Sequence, residues 1–148
     1  MKTPSIEIII ASSLDGRIAF PNGGESHLGS HIDKRMLDKN LSNVDATIFG
    51  LGTLKAHQST YLVKSHHKNG AISIAKNQPI SIVASNSKKF DKDWHYFKQP
   101  VKRWIISSNK KNELDNKYFE KEIFYKNSWS ETLLNIKKSG INNLALLG

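Results

Sequence analysis

The opening run of this chain, residues 6–11, constrains it most. Ile8, Ile9 and Ile10 stand consecutively there, just before Ser12-Ser13-Leu14-Asp15-Gly16. Three β-branched residues in a row favour extended backbone. The consecutive apolar residues Ile8 to Ile10 fit a strand buried on both faces of a parallel or mixed sheet. Further short apolar runs follow at residues 44–49, 80–84, 101–106, around Ile123, and at 144–147. Between them lie helix signals. Ser30 stands as a cap with Asp33 three residues on, and Ile32, Met36, Leu37 and Leu41 fall in one stripe at helical spacing. Ser128 and Glu131 form a capping box, Trp129, Leu133 and Ile136 the apolar face behind it, and Gly140 the stop. Residues 55–79 are polar and carry no clear periodicity. Strands alternating with helices predict an α/β domain with a mainly parallel sheet, residues 144–147 forming an interior strand.

The length, 148 residues, suits one domain spanning 1–148. There is no cysteine, so disulfides and thiolate metal sites are excluded. No run approaches the roughly 18 apolar residues of a membrane span, and Met-Lys-Thr-Pro lacks the apolar stretch of a signal peptide. The expectation is a cytoplasmic protein. The net charge of +9 invites a nucleic-acid reading, but 19 of the 22 basic residues are Lys and they are scattered. Base readout and bidentate phosphate contacts favour Arg. A solvated basic surface, or a site for a small anion, accounts better for the charge. The six histidines show no metal-binding spacing, and no nucleophile elbow supports Ser-His-Asp hydrolysis. Trp94, Tyr96, Phe97 and Trp104 read as packing residues rather than a base-stacking platform.

Three loops carry possible chemistry. Ser12 to Ala19 leaves the first strand, with Asp15 and Gly16 fit for a turn. Gly23-Gly24-Glu25-Ser26 offers a hydroxyl. Gly50-Leu51-Gly52-Thr53 leaves the second strand with two glycines that let a ligand come close to the backbone. Each alone reads more readily as an ordinary turn.

Taken together, residues 10–19, Gly24-Glu25-Ser26 and residues 45–53 resemble, in order and spacing, the reductase domain of bacterial riboflavin biosynthesis, the C-terminal domain family of RibD. The resemblance is strong over residues 6–53, looser beyond, and returns at 141–148. It implies a dihydrofolate-reductase-like sheet with helices on both faces. It also implies reduction of the ribose of 5-amino-6-(5-phosphoribosylamino)uracil, with NADPH as hydride donor. By the same resemblance, Ala11, Gly50, Gly52, Thr53 and His57 would meet the cofactor, and Ser26, Tyr61 and Lys64 the substrate. A phosphorylated small molecule would be the partner, with a homodimer as a further expectation and no membrane.

The chain departs from the family pattern at several of these places. His57 stands where the family has a carboxylate, Lys64 where it has Arg, Leu28 where it has Trp, Leu147 where it has Glu, and Leu41 where it has a substrate Arg. These changes leave two other readings open: a diverged binding module without catalysis, and a reductase of another pyrimidine or pterin. The family pattern runs on past the position of Gly148 into a glycine-rich cofactor loop and further strands. The resemblance therefore implies a domain incomplete at its C-terminus, weak NADPH binding, and an exposed apolar edge along residues 6–10.

Overall fold

The computed structural model of the chain describes residues 2–18, 20–22, 29–109 and 117–148. Six strands build the main sheet: β1 (Ser5–Ile9), β2 (Ala46–Gly50), β5 (Ile80–Ala84), β6 (Arg103–Ser107), β7 (Lys121–Phe124) and β8 (Asn143–Leu147). They lie in the order β1-β8-β2-β5-β6-β7, and every neighbouring pair is parallel. A separate antiparallel ribbon joins β3 (Lys64–His66) to β4 (Ile72–Ile74). The helices are α1 (His31–Leu41), α2 (Leu51–His57) and α3 (Trp129–Lys138), with a 3-10 turn at His95–Lys98.

Strand alternation divides the core between two faces. Ala46, Ile48, Ile82, Trp104, Ile106, Ile123 and Leu144 pack with Ile136 of α3. Phe49, Val83 and Ile105 pack with Leu54 of α2 and Tyr96 of the 3-10 turn, and Ala145 packs with Leu41 of α1. On the links that step from β1 towards β6, α1, α2 and the 3-10 turn thus pack on one face, and α3, stepping back to β8, packs on the other. A constant crossover hand demands this. The expected α/β architecture, with an interior strand at the chain's last residues, is the one observed.

The caps behave as their residues dictate. Ser30 Oγ accepts the Asp33 N–H (3.2 Å) and Asp33 accepts the Ser30 N–H (2.7 Å). The Ser30 N–H and then the Ser30 hydroxyl (2.7 Å), both donating to the Asp33 carboxyl, hold it below the ordinary carboxylate range. Ser128 supplies one half of its expected box, accepting the Glu131 N–H (3.3 Å), and Gly140 closes α3 at φ +95°.

Several expectations are corrected. The Ile run does not lie in the sheet's interior: β1 is the edge strand, and Ile8 is 64% exposed. Consecutive isoleucines fix an extended backbone, not the number of its neighbours. The exposed apolar edge that the resemblance implies is the arrangement found. The stripe on α1 is narrower than its spacing suggests. Leu37 and Leu41 turn inward, but Ile32 and Met36 are exposed, and the inward position one turn before Leu41 belongs to Asp38. On α3, Thr132 is buried where Trp129 was expected, and Trp129 packs at the rim against Tyr125. Residues 55–79 contain the end of α2 and the β3–β4 ribbon, elements too short to show a period.

Candidate functional site

In a parallel sheet every strand leaves at the same edge, and ligands of open α/β sheets bind there. Register places Ile9 beside Leu147, Leu146 beside Ile48, Gly50 beside Ala84, and Ala84 beside Ile106. One residue further on, Ile10, Gly148 and Gly50 fall into the same transverse row. A Cβ placed on Gly148 would indeed meet Ile10 at 3.5 Å. The residues just past this row form the floor of the candidate site.

Ala11 lies past the end of β1 and is exposed. The loop that follows braces itself. The Ser13 hydroxyl donates to Asp15, the Arg17 N–H donates to Ser13 Oγ (3.1 Å), and Arg17 Nε pairs with Asp15 (3.1 Å). Gly16 takes φ +79°, which a side chain would strain. Asp15 thus bonds neighbouring side chains rather than its own backbone.

Gly50 caps α2, and Gly52 and Thr53 stand in its first turn. A Cβ on either glycine would meet no atom of the described residues within 4 Å. Thr53 and His57 are four residues apart and share one helix face. His57 lies a turn deeper, away from the strand ends. Ser26 falls outside the described residues.

The structure brings Ala11, Gly50, Gly52 and Thr53 to one edge, with His57 below them. Tyr61 and Lys64 are held elsewhere, against α1. The Tyr61 hydroxyl donates to Asp38 Oδ1 (2.9 Å), as does the Lys64 N–H (2.8 Å). Burial, then the bond to Asp38 and its charge, push the Tyr61 hydroxyl far above the usual phenol range. Leu41, at the family's Arg position, is core.

Sequence reasoning missed a polar shelf where β5 and β6 end. Asn86 Oδ1 accepts both the N–H (3.0 Å) and the hydroxyl (2.8 Å) of Ser108. Ser107 Oγ accepts the Asn109 N–H (3.0 Å), and the Ser85 hydroxyl donates to the Ser87 carbonyl (2.8 Å). Lys88 follows and pairs with Glu122 of β7 (2.7 Å). The signal was present: Ser85-Asn86-Ser87 follows the apolar run at 80–84 directly, and Ser107-Ser108-Asn109 the one at 101–106. Among the described residues, no group of three His, Cys, Asp or Glu gathers as metal ligands, and no helix is long and apolar enough to cross a membrane.

The family model for the RibD C-terminal domain matches residues 4–148. The chain belongs to the RibD C-terminal domain family. Solved structures agree on the fold. The deaminase and 5-amino-6-(5-phosphoribosylamino)uracil reductase of Thermotoga maritima superposes with a TM-score of 0.77 at 17% identity, over 99% of this chain and 39% of that one. RibD of Acinetobacter baumannii gives 0.78 at 18% identity, over 99% and 40%. The riboflavin biosynthesis reductase Rib7 of Saccharomyces cerevisiae gives 0.73 at 16%, over 99% and 63%. This chain therefore spans about 40% of the first two proteins and under two thirds of the third. No curated protein sequence matches it.

Proposed function

We propose that this chain is a reductase module of riboflavin biosynthesis, acting on a phosphoribosylamino-pyrimidine with NADPH. One observation carries the reading. In a chain of this family, Ala11, Gly50, Gly52 and Thr53 converge where parallel strands end. The missing side chains at Gly50 and Gly52 would let a dinucleotide lie close to the backbone. NADPH would supply the hydride. The chain's own task is to hold two phosphorylated molecules in register, which is most of what hydride transfer asks of a protein. Thr53 offers a hydroxyl and an N–H at the open turn. The Asn86–Ser108 shelf offers further polar groups along the same edge. Lys64, held against α1 rather than at the strand ends, would offer a point charge to a substrate phosphate that extends towards that helix, without the fork of an arginine.

The test is direct. The chain is mixed with NADPH and 5-amino-6-(5-phosphoribosylamino)uracil, and loss of reduced-nicotinamide absorbance is followed. Turnover that falls at least about tenfold in Thr53→Val supports the reading. Substrate-independent absorbance, with wild type and Thr53→Val alike, overturns it. A second reading, a binding module without catalysis, is favoured by one observation: the Tyr61 hydroxyl is already engaged by Asp38. Ligand binding without single-turnover oxidation of NADPH would select it.

A further inference from the structure

The segment after α2 is fastened to α1 by a side chain that the reductase reading leaves unused. Asp38 sits on the inner face of α1 and is 3% exposed. Its Oδ1 accepts the Tyr61 hydroxyl (2.9 Å) and the Lys64 N–H (2.8 Å), and its Oδ2 lies 2.8 Å from His66 Nε2. The Tyr61 hydroxyl also lies 3.4 Å from the Lys34 carbonyl. A carboxylate this deep is disfavoured unless donors meet it, and these three donors all come from residues 61–66. The helix thus holds the segment at three successive points through one carboxyl group.

The inner end of the segment is fixed separately. Gln78 accepts the Val63 N–H (2.9 Å) and donates to the Val63 carbonyl (2.9 Å). Past Val63, the contacts with Asp38 set the path. Alternation along β3 puts the Lys64 and His66 side chains on the same side of the ribbon. Seating His66 on Asp38 therefore also decides the side on which the exposed Lys64 ammonium emerges. The Lys64 N–H bond to the same carboxyl fixes its height along α1.

We propose that Asp38 is a positioning residue: it holds Lys64 in the place and direction from which its ammonium meets the substrate's phosphate. This rests on the reading above, in which Lys64 is that phosphate contact. Asp38 itself touches no ligand and acts through Lys64.

Ribose 5-phosphate serves as the probe, titrated into nitrogen-15-labelled chain while the Lys64 amide and side-chain signals are followed. In the wild type a saturable shift at Lys64 is expected, and Lys64→Ala should weaken the affinity, read at neighbouring amides, about tenfold without abolishing it. Asp38→Asn keeps the size and one acceptor oxygen but removes the charge; it should weaken the affinity about tenfold. His66→Gln, which leaves the carboxylate in place, should weaken it less. The amide spectrum of each variant verifies its fold. In the Lys64→Ala background, Asp38→Asn should have no further effect on any residual affinity. This non-additivity is what a merely structural role would not produce. Unaltered affinity in Asp38→Asn, or an effect that persists without Lys64, overturns the positioning role alone. Absence of any shift at Lys64 in the wild type overturns the phosphate reading of Lys64, and the proposal with it.

Discussion

A buried carboxylate makes stability depend on pH in a direction that its partners decide. Burial alone would raise the Asp38 pKa. Bonds from His66, the Lys64 N–H and Tyr61, with the His66 charge, outweigh burial and hold it below the ordinary range. With the folded value depressed, the stabilisation is fully present above the ordinary carboxylate pKa and is lost as pH falls through the folded value. Asp38→Asn should therefore cost about 1–3 kcal/mol at neutral pH. The gap from wild type should shrink below about pH 4. Urea unfolding across that range measures both. Tyr96 answers to burial differently. Its hydroxyl meets Ser81 (3.0 Å) inside the core, and burial pushes it up to about 12, against the lowering effects of Ser81 and Arg103. Tyr96→Phe should cost about 1 kcal/mol in the same assay. Of these residues the sequence announced little. Gly16 and Gly140 were legible because a positive φ has few other occupants. Asp38 was not, because a carboxylate between Leu37 and Leu41 looks like a helix's solvent face until its partners from 61–66 are known.

An element's apolar spacing is legible only where the partner surface is as wide as the stripe. Ile80–Ala84 is legible with the bounds observed, since a strand with sheet on both sides and packing on both faces is mostly apolar, and its one polar residue, Ser81, meets Tyr96 in the core. The same logic failed for β1, which has one neighbour. It failed for half of α1, where a narrow contact leaves Ile32 76% exposed. The β3–β4 ribbon was invisible because three-residue strands carry no period and its seat is a side-chain cluster. These differences predict opposite costs for similar changes. Ile136 is fully buried beneath α3, so Ile136→Ala should lose about 2–5 kcal/mol in chemical denaturation. Ile8→Lys should change stability by less than about 0.5 kcal/mol, since its side chain already faces water. It should also reduce concentration-dependent association, because a lysine on an unpaired strand edge blocks strand addition. Light scattering over a dilution series checks this, and unchanged association would show that the β1 edge is not the contact.

At the scale of the molecule, a parallel sheet creates two unlike edges, and size alone does not say which one works. A shallow cavity of about 340 Å³ lies at the strand starts, lined by Ser5, Glu7, Asn43, Val44, Asn143 and Leu144. The strand ends carry the open glycines, Thr53 and the Asn86–Ser108 shelf. Asp45 already satisfies the backbone at the starts, accepting the N–H groups of Asn142 (2.6 Å) and Asn143 (2.8 Å). The starts are thus tied for structure, and under the proposed function the ligand would sit at the ends. Hydrogen exchange with and without saturating NADPH separates the two edges. Protection is expected at residues 10–13, 50–54, 85–87 and 107–109, and not at 43–44 or 142–144. The net charge of +9 adds an independent mark. An anionic dinucleotide held on a basic surface should lose affinity as salt rises, since counterions screen the same charges. Protection that gathers at the strand starts, or affinity indifferent to salt, would place the ligand elsewhere and undo the assignment of the working edge.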